Sequence, residues 1–471
     1  MLRFSVLYNG CSLRATETAR MSEPASGTLR TGVSRTSVLR LAVPVIFASI
    51  GVSLSGIADT AVMGRMPDPV YLSATAIGAT LFSTLYWAFG FLRMSTGGLV
   101  AQAFGAQQLE RQRRIVWRGI VLATGVGLAI LVLTEPLLWL ALRPMEDADG
   151  MHALVRDYVG VRSWSAPAVL MLFVVHGALV GRQSMRALLA VQLLQTVLNV
   201  ALNIVLFTFT DLDVRGVALA TVVADVVALT VALAWLSPLL RGEARERGDS
   251  LLGGWLFERA ELARLVSMGG HLFVRSLCLT GAYFWFTAAG TRLGVAVVAA
   301  NAILLQLMQF TSFFLDGFAH AAEALVGQAI GQRDPAALRA AVRAAAELSI
   351  VVAMTLSAVF ALGGGAFIDA MSTDESTRSV TREWLGWVVA LPVVGVGSFL
   401  LDGIFIGATR TLPMRDSMVA ALLLFFGATW LLVPALGNHG LWAALLIMLA
   451  ARAAGLGLAL PGLLGRAAAV P

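Results

Sequence analysis

From Leu39 onward the chain alternates between long apolar runs and short polar breaks. Six runs fall at about residues 40–64, 71–103, 115–142, 156–181, 187–210 and 214–237. After a charged stretch from Arg241 to Asp249, six more fall at about 265–290, 295–330, 343–370, 383–408, 417–436 and 440–463. A helix needs roughly 20 apolar residues to cross a bilayer, and every run meets that length. Lipid offers no partner to free backbone groups, so all twelve runs are predicted to be helical. Runs approaching about 30 residues exceed the hydrocarbon thickness and must tilt, bend or protrude.

The pattern also repeats. Residues 99–105 read LVAQAFG and residues 325–331 read LVGQAIG. The same offset of 226 residues carries VHGALVG (175–181) onto LDGIFIG (401–407). Six spans per half give both halves the same orientation, with a symmetry axis along the membrane normal. The predicted fold is therefore an all-α membrane protein: twelve transmembrane helices in two pseudo-symmetric six-helix bundles. The expected division is a cytoplasmic, disordered tail at 1–38, an N-lobe at 39–240, an inter-lobe linker at 241–264 and a C-lobe at 265–471. The tail is rich in Arg, Ser and Thr and lacks the apolar core of a secretory signal; Met21 is a second plausible start. Trp255–Leu265 reads as amphipathic and is expected to lie along the interface as part of the linker.

Composition supports lipid as the solvent. The 471 residues are 58% hydrophobic and 13% charged, and the mean hydropathy is +0.81. The formal net charge of +6 comes from arginine alone, since the chain has no lysine. These arginines crowd alternate loops: Arg111, Arg113 and Arg114; Arg182 and Arg186; Arg241 to Arg259; Arg333 to Arg343; Arg410 and Arg415. The opposite loops are acidic or mixed. The charges thus read as topology signals rather than a nucleic-acid surface, and both termini are expected on the cytoplasmic side of a bacterial inner membrane. Two cysteines, Cys11 and Cys278, make no disulfide framework, and five scattered histidines make no metal motif. There is no phosphate-binding GxxxxGK[ST], no arginine ladder for voltage sensing and no TVGYG filter. An ATP-driven pump, a voltage sensor and a potassium channel are not encoded, no enzyme is predicted, and energy is expected from an ion gradient.

Polar residues inside the apolar runs carry the candidate chemistry. Asp59 is the outlier of the first span. A carboxylate at the bilayer centre costs about 2.5–3.5 kcal/mol on insertion scales, and such groups line proton or ion paths. Asn199 and Asn203 lie one turn apart on the fifth span, with Thr221 on the sixth. In the second half Asp316, His320 and Glu323 form one stripe at i, i+4 and i+7, and Asp402 sits where the first half has His176. Arg93 and Arg275 are potential countercharges. A structural network fixing helix packing competes with a proton relay for this second set. Aromatic residues and Met crowd spans one, two, seven and eight, as lipid contacts or as the wall of a greasy cavity.

The runs GIADTAVMGRM (56–66), PVYLSATAIGAT (69–80), FLRMSTGGLVAQAFGA (91–106), GVALATVVAD (216–225) and LPVVGVGSFLLDGIFIGATRTLPMRDSM (391–418) resemble the multidrug and toxic compound extrusion (MATE) family, most of all its DinF branch, the DNA-damage-inducible F proteins. The resemblance implies alternating access by two bundles around a central cleft. It implies export of amphipathic, often cationic drugs or toxins across the lipid bilayer in exchange for protons or sodium, with no further cofactor, no nucleic-acid partner and a monomeric chain. It places Asp59 as the coupling carboxylate, with Asn199 and Thr221 in the same N-lobe site. Many relatives carry Asp where this chain has Asn203. One remaining carboxylate suffices for a proton, so proton coupling is favoured over sodium. A lipid-linked precursor flippase is the rival; it would need several cationic residues lining the cleft. A membrane receptor or scaffold is the more distant alternative.

Overall fold

The computed structural model describes residues 34–63, 68–143, 150–210, 212–241 and 254–468. Among them, helices follow one another as α1 (Arg35–Met63), α2 (Pro69–Ala88), α3 (Phe91–Gly105), α4 (Leu109–Leu142), α5 (Met151–Arg162), α6 (Ala166–Gly181), α7 (Met185–Phe209) and α8 (Asp213–Arg241). The second half supplies α9 (Arg259–Arg292), α10 (Val295–Gly331), α11 (Pro335–Met371), α12 (Glu375–Gly407), α13 (Thr411–Leu436) and α14 (Asn438–Ala468). Together they make twelve membrane-crossing spans. The predicted all-α, two-bundle fold is therefore the observed one.

Two spans are interrupted. The second breaks at Phe89–Gly90 into α2 and α3, with the Gly90 N–H turned back to the Trp87 carbonyl at 3.1 Å. The fourth passes through a single 3-10 turn, Ser163–Ser165, between α5 and α6. Pro167 follows that turn at the start of α6, where a missing N–H costs nothing. Acids in loops at both ends of the bundles are helix caps. Asp68 accepts from the Val70 N–H at 2.9 Å, Asp334 from Ala336 and Ala337, and Asp374 from Thr377 at 2.8 Å.

Trp255–Leu265 does not lie along the surface as a separate amphipathic helix. Gly254–Phe257 forms one 3-10 turn, and α9 runs unbroken from Arg259 across the membrane. The Arg118 guanidinium of α4 explains the difference. It holds the Trp255 carbonyl at 2.6 Å and Glu258 at 3.0 Å, which fastens the turn to the N-lobe at the mouth of α9.

The two lobes meet where the repeated motifs lie. At the arginine-rich end α3, α6, α10 and α12 finish in the same way. Residues with left-handed backbone follow each: Gln107 (φ 57°), Gln183 (60°), Arg333 (55°) and Thr409 (54°), paired by the 226-residue offset. In each case the next N–H closes onto a carbonyl five residues back, from Gln108 to Ala103, Ser184 to Leu179, Asp334 to Ala329 and Arg410 to Phe405. Backbones then touch across the lobes. A β-carbon on Gly105 would sit 2.1 Å from the Gln328 carbonyl oxygen, and one on Gly331 would sit 2.0 Å from that of Gln102. Only glycine allows this approach. Gln102 donates to the Gly407 carbonyl (3.0 Å) and Thr409 Oγ1 (3.2 Å), while Gln183 donates to Gln328 Oε1 (2.6 Å). The apolar core of the N-lobe continues through this junction, whereas the other half of the C-lobe has its own core around Phe286, Phe425 and Trp442. Aromatic rings also meet across the lobes: Trp87 with Tyr283, and Phe89 and Phe91 with Phe273.

Candidate functional site

In the N-lobe, α7 carries Asn199 and Asn203 one turn apart, both buried. Asn203 Nδ2 donates to Asn199 Oδ1 at 3.3 Å, Asn199 Nδ2 donates to Thr221 Oγ1 of α8 at 3.0 Å, and Thr221 donates to the Val217 carbonyl at 3.1 Å. The three residues singled out from sequence are thus one hydrogen-bonded row of neutral groups. One turn away on α7, Thr196 donates to the Gly51 carbonyl of α1 at 3.2 Å, which ties α7 to α1. Asp59 belongs to α1 by its backbone, but its side chain lies outside the described residues.

Beside this row is an ion pair that spacing along the sequence does not announce. Asp225 of α8, 1% exposed, accepts from Arg162 at 2.8 Å and from Gln195 at 2.7 Å. The Arg162 guanidinium also lies over the rings of Phe82 and Tyr86, 5.7 and 5.6 Å from their centres. A charged residue inside each of the two apolar runs is the available signal. Asp225 closes the motif GVALATVVAD.

The C-lobe acids separate into different environments. Glu323 of α10 accepts from Arg93 of α3 at 3.1 Å, so this pair crosses the lobe boundary. Its site depends on Gly97, where a β-carbon would lie 2.1 Å from Glu323 Oε1. Position 97 is the repeat counterpart of 323; the first half leaves out a side chain where the second half inserts one. His320 Nδ1 sits 2.6 Å from the Asp316 carbonyl oxygen of its own helix. Among the described residues no hydrogen bond links the Asp316, His320 and Glu323 side chains to one another, so the stripe is not a continuous relay. Asp402 of α12 stands in a third environment, clamped by Arg275 of α9 and by Arg452 of α14 at 2.6 Å. Arg452 was not anticipated. Burying such charges is costly unless each is paired and hydrogen-bonded, and here Glu323 and Asp402 each have an arginine. Among the described residues no three acid, histidine or cysteine side chains gather to hold a metal ion.

Twelve spans in two related bundles, joined at one end and carrying buried polar groups, define a two-lobed polytopic membrane protein of the transporter type. The chain belongs to the MATE family: the MatE profile matches residues 44–205 and 272–431, one match in each half. It is 40% identical over 412 residues to DNA damage-inducible protein F of Escherichia coli, covering 88% of this chain and 89% of that one. A probable multidrug resistance protein NorM of Bradyrhizobium diazoefficiens is 26% identical over 451 residues, 89% of this chain and 92% of its own. Among solved structures, a MOP superfamily transporter from Pyrococcus furiosus superposes with a TM-score of 0.81 at 19% identity, over 92% of this chain and 97% of that chain. An outward-facing MATE family transporter superposes with a TM-score of 0.82 at 19% identity, over 93% and 98%. These two likenesses concern the fold.

Proposed function

We propose that this protein exports amphipathic, often cationic organic compounds in exchange for protons by alternating access, with Asp59 as the coupling group. Family membership and relatives named as multidrug resistance proteins support the export of such compounds. The lobes are taken as 39–240 and 265–471, joined by 241–264, with both termini cytoplasmic at the inner membrane. The chain is taken as a monomer.

One observation carries the choice of Asp59. The buried acids Asp225, Glu323 and Asp402 are each committed to arginine, while Asp316 lies on α10 of the C-lobe, outside the Asn199–Asn203–Thr221 row. The first and fifth spans run parallel and touch at Gly51 and Thr196. Counting eight residues on from Gly51 along α1 and seven from Thr196 along α7 brings Asp59 level with Asn203, about 11–12 Å further at 1.5 Å per residue. At that level α7 presents neutral amides rather than a guanidinium. Those amides serve a carboxyl that gains and loses a proton. With Asn at 203 the group offers one carboxylate, which suits a single proton and omits the second anionic ligand that would favour sodium.

In the proposed cycle the cleft opens away from the arginine-rich end and Asp59 takes a proton. Neutralisation repacks α1 and drives the drug out. The Gly105–Gly331 junction then opens while the other end closes, and the proton leaves to the cytoplasm. Drug and proton need to disfavour each other by only about 1–3 kcal/mol. Asp59→Asn is expected to abolish drug resistance in cells at wild-type protein level. Full resistance at equal expression would overturn the role.

A further inference from the structure

At the arginine-rich end of α4, Arg111, Arg114 and Arg118 lie on one face at i, i+3 and i+7. They line a polar hollow of about 470 Å³ shared with Glu110, Glu258 and Glu261. Arg118 also heads a second, apolar groove of about 370 Å³. Its floor is the lipid-facing side of α4 at Gly125 and Ala129, and its far wall is Leu256 and Leu262. The two hollows therefore form one amphipathic site with Arg118 at the waist. From Arg118 to Ala129 the groove follows α4 for about 16 Å, at 1.5 Å per residue. That is roughly one leaflet of a ~30 Å hydrocarbon core. The indole of Trp255 braces the guanidiniums, with Arg113, Arg114 and Arg118 at 5.7, 5.6 and 6.0 Å from its ring.

We propose that this site binds one aminophospholipid, a phospholipid whose headgroup carries a primary ammonium beside its phosphate, as phosphatidylethanolamine does. The charges select that class. Arg111 spends one hydrogen bond on Gln108 at 3.3 Å, and Arg114 gives only its Nε to Glu110. The remaining N–H groups of both suit a phosphate, which guanidinium grips in a planar fork. The carboxylates are also partly uncommitted. Glu258 uses one oxygen on Arg118 and is 55% exposed, and Glu261 stands 3.8 Å from that guanidinium. A primary ammonium brings three N–H donors to such oxygens. A choline headgroup has the same charges but no N–H, and glycerol has no cation. One acyl chain lies over Gly125, in the space that a side chain there would fill.

The test uses the purified full-length protein in detergent, titrated with ethanolamine, choline and glycerol phospholipids of matched acyl chains, with bound lipid counted by native mass spectrometry. The ethanolamine lipid is expected to be retained about tenfold more tightly than the choline lipid, a gap of about 1.4 kcal/mol. Glu258→Gln with Glu261→Gln is expected to erase that preference while the glycerol lipid still binds. Gly125→Leu is expected to lower retention of all three, and its fold should be intact because a β-carbon there meets nothing within 4 Å; Ala129→Leu provides a second block. Equal retention of ethanolamine and choline lipids, preference for the glycerol lipid, or wild-type binding by both blocked variants would each overturn the proposal.

Discussion

Replacing Gly331 with alanine should force the lobes apart at their arginine-rich end without unfolding either one. The added methyl would sit 2.0 Å from the Gln102 carbonyl oxygen and 2.9 Å from the Ala106 nitrogen, where ordinary contact begins at 3.4 Å. Relief therefore requires a separation of more than 1 Å. Both opposing atoms are backbone, so no rotamer change provides it. Overpacking of this kind costs about 1–3 kcal/mol. Here the strain falls between α3 of one lobe and α10 of the other, and it is released by parting them. Within α10 the same change favours helix by up to about 1 kcal/mol. The closed-to-open ratio at this end should fall by about 5–150-fold. Spin labels on Leu109→Cys and Ala336→Cys, in a background with Cys11 and Cys278 replaced by serine, would report the distance across the junction. The wild type should give a short distance and Gly331→Ala a longer one, with little change in melting temperature. Gly281→Ala, where a β-carbon meets nothing within 4 Å, should match wild type. An unchanged distance in a stably folded Gly331→Ala would show that this glycine contact does not hold the lobes together.

Other consequences follow from the ion pairs and caps. Asp402→Asn leaves Arg275 and Arg452 without their shared anion and should cost about 3–5 kcal/mol, whereas Arg275→Met keeps the Arg452 pair and should cost less; thermal melts in detergent would rank them, and the reverse order would contradict the pairing. Hydrogen bonds from Ser376 and Thr377 hold the Asp374 carboxyl at about 2, below its ordinary 3.8. Its stabilising contribution is thus present above the ordinary value and lost as pH falls through about 2. Asp374→Asn should flatten that part of the pH–stability curve, and an identical curve would exclude the cap. Asn203→Asp restores a second carboxylate beside the Asn199–Thr221 row and should make dye efflux respond to sodium. Sodium-blind efflux at normal expression would place residue 203 outside the coupling site.

Hydropathy made the twelve spans legible because each must satisfy its own backbone in lipid, and the 226-residue repeat made the two lobes legible. The repeat also marked the lobe contact, since its glycines and glutamines are the residues that meet there. The left-handed ends at Gln107, Gln183, Arg333 and Thr409 were not legible, because side chains that rarely adopt that conformation occupy all four. The break at Phe89–Gly90 lies in an apolar run with no proline to announce it. Asn199, Asn203 and Thr221 came together because a turn of spacing on one helix fixes two of them and the next span brings the third. The C-lobe set was only half legible. Spacing placed Asp316, His320 and Glu323 on one face, but partners come from other helices. Only packing reveals that Arg93 reaches across the lobes to Glu323, or that Arg452 shares Asp402.

One N-lobe carboxyl, Asp59, is proposed to couple proton entry to drug exit. Dye transport by proteoliposomes of wild type and Asp59→Asn, driven by an imposed pH gradient or an imposed sodium gradient, reads that coupling out. Wild type should transport with the pH gradient alone, and Asp59→Asn should transport under neither gradient. Transport by Asp59→Asn at the wild-type rate, or wild-type transport that needs sodium and ignores pH, would remove Asp59 from the role of proton coupler.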